Sequence, residues 1–365
     1  MKLNLPILFS FLLILASCTD RGATDSVFDD KVQSDGEGLE RIVQKLVPAP
    51  NVPEHTQAAD GGPRIVEVLL EAIEKKIEVA EGDSVWAMTF NGTVPGPLIV
   101  VHEGDFVEVT LRNSPTNTQL HNIDFHAATG EGGGADISLV SPGQEATFRF
   151  RATKAGVFVY HCAPGGMMVP LHVVAGMNGA IMVLPRGGLK DENGNSVKYD
   201  RAYYVVEQDF YLPKDANGKV KNIATPQESI NEMEAALRKL LPTHLVFNGR
   251  DGSIRGRNAL KASVGEKVLF ISAQANRDTR LHLIGGHADL FWPGGKFNNT
   301  PWVDLETWAI PGGSGAAALY QFRQPGTYVF LNHNLVEAFA LGAIGEVKVE
   351  GEFDSTYMKR IRAPH

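Results

Sequence analysis

The sequence predicts an all-β chain of two tandem β-sandwich domains, and three observations carry that reading. The chain has 365 residues, enough for two domains with separate cores. Its 38 glycines and 20 prolines are dispersed among short Val/Ile/Phe/Tyr alternations, which favours strands joined by many turns. Its two halves also repeat one order of features. Phe90-Asn91-Gly92, Glu103-Gly104-Asp105, His121 and His126 are matched by Phe247-Asn248-Gly249, Val264-Gly265-Glu266, His282 and His287. From Gly104 to the two histidines is 17 and 22 residues, and the same intervals follow Gly265.

Segments such as 106–111 alternate clearly enough for one buried and one wet face. A late strand repeats as well, at 156–160 and 326–330. These features predict domains over 63–186 and 198–350, followed by a C-terminal tail, 351–365. One helix is well signalled. Thr225-Pro226-Gln227-Glu228 forms a capping box with proline at the first helical position, and Ile230, Met233, Leu237 and Leu240 follow at helical spacing. It reads as a packing helix without chemistry.

Hydrophobic residues make up 43% of the chain and charged residues 21%, an ordinary globular balance. The formal net charge of -8, without a block of like charge, argues against nucleic acid and anionic lipid as partners. Residues 1–17 read as a targeting segment. Lys2 gives a positive start, and the apolar run from Leu5 to Ala16 is too short to span a membrane comfortably as a helix. The run ends Leu15-Ala16-Ser17-Cys18, which resembles the bacterial lipoprotein box, so Cys18 is the expected lipidation site. Residues 18–62, polar and rich in Asp, Gly, Pro and Ala, are expected to be a flexible tether. This pattern predicts a protein on the periplasmic side of the cell envelope, touching a membrane only through its lipid. One cysteine, Cys162, is then left for the mature fold. A single cysteine in an exported protein forms no internal disulfide, which makes its thiol a candidate metal ligand.

The stretch from His121 to Met177 holds the chemistry. Two imidazoles, a thiolate and a thioether are the ligand set of a blue-copper electron-transfer site. Here they are His121, Cys162, His172 and Met177. The soft sulfurs favour cuprous copper and the imidazoles accommodate the cupric form. His126 and His161 remain. On an extended segment, His161 and Cys162 point to opposite faces. The pair is thus able to wire two metals through one covalent path, with the metals roughly 12 Å apart by bond lengths.

Six longer stretches carry a family resemblance: HNIDFHAATG (121–130), YHCAP (160–164), GMNGAIMVLP (176–185), ANRDTRLHLIGGH (275–287), DLETWAIPGG (304–313) and NHNLVEAF (332–339). They resemble the copper-containing nitrite reductases, and the likeness runs over nearly all of 64–350. The resemblance implies two tandem cupredoxin-like Greek-key β-sandwiches with short helices, assembled as a homotrimer. It implies one type 1 copper per subunit on His121, Cys162, His172 and Met177. It also implies one type 2 copper on His126 and His161, with His333 coming from an adjacent subunit. Asp124 and His282 resemble the family's proton-delivering pair, and Ile284 resembles the residue that crowds the nitrite pocket. The implied reaction is one-electron reduction of nitrite to nitric oxide and water. Electrons would come from a c-type cytochrome or a small cupredoxin and pass from type 1 to type 2 copper through Cys162 and His161. Two departures fall in the ligand loop. The interval from Cys162 to His172 is one residue longer than the family pattern, and Leu171 stands where a tryptophan is frequent.

A three-histidine metal with an open position suits an anionic substrate, because neutral imidazoles leave the cation's charge uncompensated. Protons for the departing oxygen then need a carboxylate and an imidazole as relays. Two other functions compete. A laccase-like multicopper oxidase needs about eight histidines, largely in His-x-His pairs, and none of the 11 histidines forms such a pair. A plain cupredoxin electron carrier would leave His126, His161, Asp124, His282 and His333 without a purpose. His55, His102, His244 and His365 read as structural, and His287 as a structural residue or a support for a metal-binding side chain.

Overall fold

Strand Gly156–His161 shows how alternation builds the body of the protein. Val157 and Val159 enter one core, while Phe158 and Tyr160 enter another. In the computed structural model, which describes residues 36–364, this strand shares a sheet with Ile99–His102, Asn178–Leu184 and Asp124–Phe125. One face of that sheet packs on a second one, made of Arg41–Val43, Ile65–Ala80, Asp83–Phe90, Phe106–Asn113 and Glu145–Arg151. Phe90, Phe125, Phe150 and Tyr160 lie in the core between them. The other face packs on a sheet from the second half: Arg201–Tyr204, Lys267–Gln274, Ser314–Gln321, Ala288–Trp292 and Trp302–Leu305. Met182, Leu184, Leu269 and Trp292 fill this middle layer. The third sheet in turn covers a fourth, of Leu260–Ser263, Ile344–Glu350, Gly326–Asn332, Thr279–Ile284 and Thr307–Ile310, around Phe247, Phe270, Trp308 and Phe330. The protein is all-β, as the sequence predicts.

Small residues let the two middle sheets approach closely. A Cβ on Gly315 would stand 2.5 Å from the Val157 carbonyl oxygen, and one on Gly156 2.5 Å from that of Gly295. No side chain fits there, so the halves are packed backbone to backbone.

The sequence repeat is a repeat of hydrogen bonds. Asn91 and Asn248 both adopt positive φ, 56° and 47°. Their side-chain oxygens accept from the Glu71 and Val206 amides, and their side-chain amides donate to the Leu69 and Tyr204 carbonyls. Likewise Gly104 and Gly265 donate to the Ala152 and Phe322 carbonyls, each at 2.7 Å. The acidic residue after each glycine accepts from a backbone amide three residues back, Asp105 from His102 and Glu266 from Ser263.

Among the described residues there are three α-helices: Met168–Val174, Pro226–Leu237 and Leu335–Leu341. Thr225 caps the second by accepting from the Glu228 amide, and Ile230, Met233 and Leu237 are buried. Leu240 departs from the expected stripe. The helix ends before it, and it is exposed at positive φ. The flexible tether expected through residue 62 is corrected for 39–62. Arg41–Val43 adds a parallel strand beside Ile65–Ala80, and Ile42 and Leu46 pack against the first core. Further along, Pro50 accepts from the Tyr204 amide, and Gln57 exchanges hydrogen bonds with the Tyr199 backbone. Backbone pairing at a sheet edge needs no apolar side chains, so polar composition hid it. The targeting segment 1–17, Cys18 and His365 lie outside the described residues.

Candidate metal centres

Four segments bring the first cluster together. His121 lies just before the strand Asp124–Phe125, bridged to Val140. Cys162 follows strand Gly156–His161 and faces the first core. His172 sits on the helix Met168–Val174, an element the sequence did not announce, and Met177 precedes strand Asn178–Leu184. All four side chains are fully buried. The Nδ1 atoms of His172 and His121 stand 3.2 and 3.6 Å from the Cys162 sulfur. Met177 is tied into the loop through its backbone, donating to His172 and accepting from Cys162 at 3.0 and 3.1 Å.

The surroundings fix this set. The Nε2 of His121 donates to Glu74, whose side chain is almost fully buried, at 3.2 Å. Burial alone would raise the Glu74 carboxyl, but hydrogen bonds from His121, Thr118 and Gln119 outweigh it and hold it below the ordinary value. Asn122 clamps the cysteine loop, accepting from the Ala163 amide and donating to the Ala135 and Ala163 carbonyls. Its own amide lies 3.5 Å from the sulfur. Sequence reasoning missed Glu74, because it is one charge in the highly charged run Glu71–Glu78 and nothing in the pattern marks it as the buried one. Burial pushes the Cys162 thiol up to about 12, with hydrogen bonds from the Asn122 and Ala163 amides opposing. Burial, helped by the charge of His121, pushes His172 from the ordinary 6.5 down to about 3. A neutral His172 imidazole and a buried thiol that only a cation would ionise fit a soft metal site.

His126 and His161 form the second cluster, on the opposite side of the same strand. Their Nε2 atoms are 3.2 Å apart. Each Nδ1 donates to a carbonyl oxygen, His126 to Gly313 at 3.0 Å and His161 to Cys162 at 3.1 Å. A carbonyl only accepts, so each neutral ring carries its hydrogen on Nδ1 and turns an Nε2 lone pair toward the other. Two facing lone pairs repel unless a cation or proton lies between them. Asp124 adds a carboxylate oxygen 3.7 Å from the His161 Nε2. Burial lowers the His161 pKa, and the Cys162 carbonyl and Asp124 offset this only in part. The net effect favours a neutral, ligating imidazole.

The histidines of the second half stand apart from this cluster. His282 and His333 are edge to face, with ring centroids 5.2 Å apart. The Nδ1 of His282 donates to the Glu306 carbonyl at 2.7 Å, and the His333 amide donates to Arg280 at 2.6 Å. Ile284, two residues after His282 on the same strand, is half exposed. Among the described residues, Asp124 is the one acidic or metal-binding group that joins His126 and His161 within 4.8 Å. One chain therefore carries two separate histidine pairs.

Three comparisons with known proteins find likenesses to this chain. A family model described as multicopper oxidase matches residues 71–188. The copper-containing nitrite reductase of Rhizobium meliloti (strain 1021) is 57% identical over 327 residues, 89% of this chain and 87% of the relative. That of Pseudomonas chlororaphis is 51% identical over 355 residues, 97% of each chain. A solved copper nitrite reductase from Nitrosomonas europaea has a TM-score of 0.65 at 30% identity, covering 80% of this chain and 96% of that one.

The buried His172 gives a pH prediction for the metal-free protein. Below pH 6.5 the unfolded chain protonates this imidazole, while the folded chain does not until about pH 3. Its contribution to stability is therefore complete above 6.5 and is lost as pH falls toward 3. Denaturant titrations at pH 7.5 and 4.5 should show the metal-free form weakening toward acid, and His172→Gln should remove part of that slope. An unchanged slope in the variant would contradict a neutral buried imidazole.

Proposed function

The chain belongs to the copper-containing nitrite reductases, and from that membership we propose how its residues divide the reduction of nitrite to nitric oxide and water. His121, Cys162, His172 and Met177 would hold the type 1 copper; His126 and His161 would hold the type 2 copper, with His333 of an adjacent subunit. When bound, these coppers supply one-electron transfer at the first site and Lewis-acid binding of nitrite at the second. The adjacency of Cys162 and His161 is the observation that carries this reading. One peptide unit joins a buried sulfur to an imidazole on the opposite face, which makes a short covalent path for the electron.

Each turnover takes nitrite, one electron and two protons to nitric oxide and water. Asp124 lies beside His161, with a carboxylate oxygen 3.7 Å from the ring Nε2, and would pass a proton to the departing oxygen. His282 is fixed by its Nδ1 donation to Glu306, which leaves Nε2 to hold and release the second proton. Ile284 shares the face of His282 and limits the room beside it. A trinuclear oxidase cluster has no support here, since no His-x-His pair occurs in the chain.

The ligands support a site shared between subunits, and the family resemblance supplies the count of three. Two imidazoles make an underspecified site, and the remaining histidine half-site of the same chain lies apart from it. A head-to-tail contact that closes as a ring of three brings His333 of one chain to His126 and His161 of the next. The helix after His333 supports such a contact, since Val336 and Phe339 are 78% and 72% exposed. We assign the electron donor to the class of c-type cytochromes or small cupredoxins, and the sandwich domains to 63–186 and 198–350. His333→Ala should lose the type 2 copper signal and nitrite reduction while the type 1 colour persists. Mixing His126→Ala with His333→Ala subunits should restore activity, because some interfaces in mixed rings regain a complete site. A monomer that binds both coppers and turns over nitrite would sink the ring.

We also propose that Cys18 carries a lipid that holds the protein to the periplasmic face of a membrane. A diacyl anchor holds firmly where a single chain does not. The full chain should fractionate with membranes, and a chain beginning at residue 36 should be soluble and active. Recovery of the full chain wholly in the soluble periplasmic fraction would count against the anchor.

A further inference from the structure

We propose that Glu207 is a positioning residue, a buried hub that holds the two histidine half-sites of one chain in register. Glu207, Gln274, Thr279 and Asn332 are each at most 4% exposed. One carboxylate oxygen of Glu207 accepts from the side-chain amides of Gln274 and Asn332, at 3.1 and 3.3 Å. The other accepts from the Thr279 hydroxyl at 3.1 Å. Three donors from three strands thus converge on one carboxyl group.

Two of those donors lead to histidines. Asn332 immediately precedes His333, and its side-chain oxygen accepts from the Asn334 amide at 2.9 Å, so it brackets the His333 peptide on both sides. The His333 amide itself donates to Arg280, the residue after Thr279. Toward the other half-site, the Gln274 carbonyl accepts from the Gly313 amide at 2.7 Å. The Gly313 carbonyl in turn accepts from the Nδ1 of His126. A continuous path therefore runs His126, Gly313, Gln274, Glu207, Asn332, His333. In a head-to-tail ring these two histidines serve neighbouring metal centres, so their spacing within one chain must match the repeat of the ring.

The burial of a carboxyl here is costly, which argues that its acceptor capacity is needed. Burial, reinforced by Asp209, pushes the Glu207 carboxyl up to about 7 despite hydrogen bonds from Thr279, Asn332 and Gln274. An apolar side chain would avoid that cost but leave three buried donors without a partner.

This inference rests on His333 being a type 2 ligand, and the two fail in different ways. A His333→Ala protein that keeps its type 2 signal removes the ligand assignment, whatever Glu207 does. With that assignment upheld, the test is the resistance of type 2 copper to a competing chelator in the full-length copper-loaded protein. The visible absorption of type 1 copper serves as the internal control. Glu207→Ala should weaken type 2 affinity about 10- to 100-fold, the usual effect of losing an outer-shell partner, with the type 1 colour unchanged. Glu207→Gln should stay close to the parent, since its amide oxygen accepts from Asn332 and Gln274 and its amide nitrogen donates to Thr279. Parental chelator resistance in the alanine variant overturns the proposal, and so does a glutamine variant as weak as alanine. If Glu207→Ala does not fold, Asn332→Ala takes its place, because it leaves Glu207 paired with Gln274 and Thr279. It should show the same loss at the type 2 site, and an unchanged affinity there overturns the proposal equally.

Discussion

A strand turns successive side chains to opposite faces, and at residues 157–162 that alternation meets two different environments. Phe158, Tyr160 and Cys162 enter the first sandwich, while Val157 and Val159 enter the layer shared with the second half. His161 continues the second series and reaches His126, whose ring is anchored on Gly313. Two donor sets of opposite character are therefore built one residue apart. Sulfur and imidazole sit together in a dry core, and imidazoles alone sit at a polar, partly open edge. The close backbone packing at Gly156, Gly295 and Gly315 keeps the two halves at the distance this requires.

Rigidity around each set comes from hydrogen bonds to groups that do not themselves ligate a metal. Glu74 and Asn122 hold the first set, and carbonyl oxygens orient the rings of the second. Glu207 gathers amide and hydroxyl donors in the core between the half-sites. The common principle is that a ring or loop is fixed on its far side, leaving one lone pair free in a chosen direction. A one-electron centre gains from such rigidity because its ligands need move little between oxidation states. The half-sites at His126 and His333 use the same device at the surface, and in the proposed ring a neighbouring chain completes what one chain starts.

Much of this was legible in the sequence. The repeat at Asn91 and Asn248, and at Gly104 and Gly265, is visible because both halves need the same turn chemistry at the same interval. Cys162 and its histidines stand out because a lone thiol in a chain expected to be exported has few other uses. Three things stayed hidden. Strand Arg41–Val43 forms by backbone pairing, which composition does not report. The helix bearing His172 is only seven residues long and carries a proline, too little for a periodic signal. Glu74 and Glu207 are ordinary acidic residues until the fold buries them, since burial of a charge is a property of its partners in space.

The central claim is that Cys162 both binds the first copper and conducts to the second. Measuring the visible absorption, the copper resonance spectrum and donor-driven nitrite reduction of Cys162→Ala tests it most directly. The expected result is loss of the intense colour and of the type 1 signal, retention of the type 2 signal, and collapse of turnover with a protein donor. Full donor-driven turnover in that variant would contradict the claim.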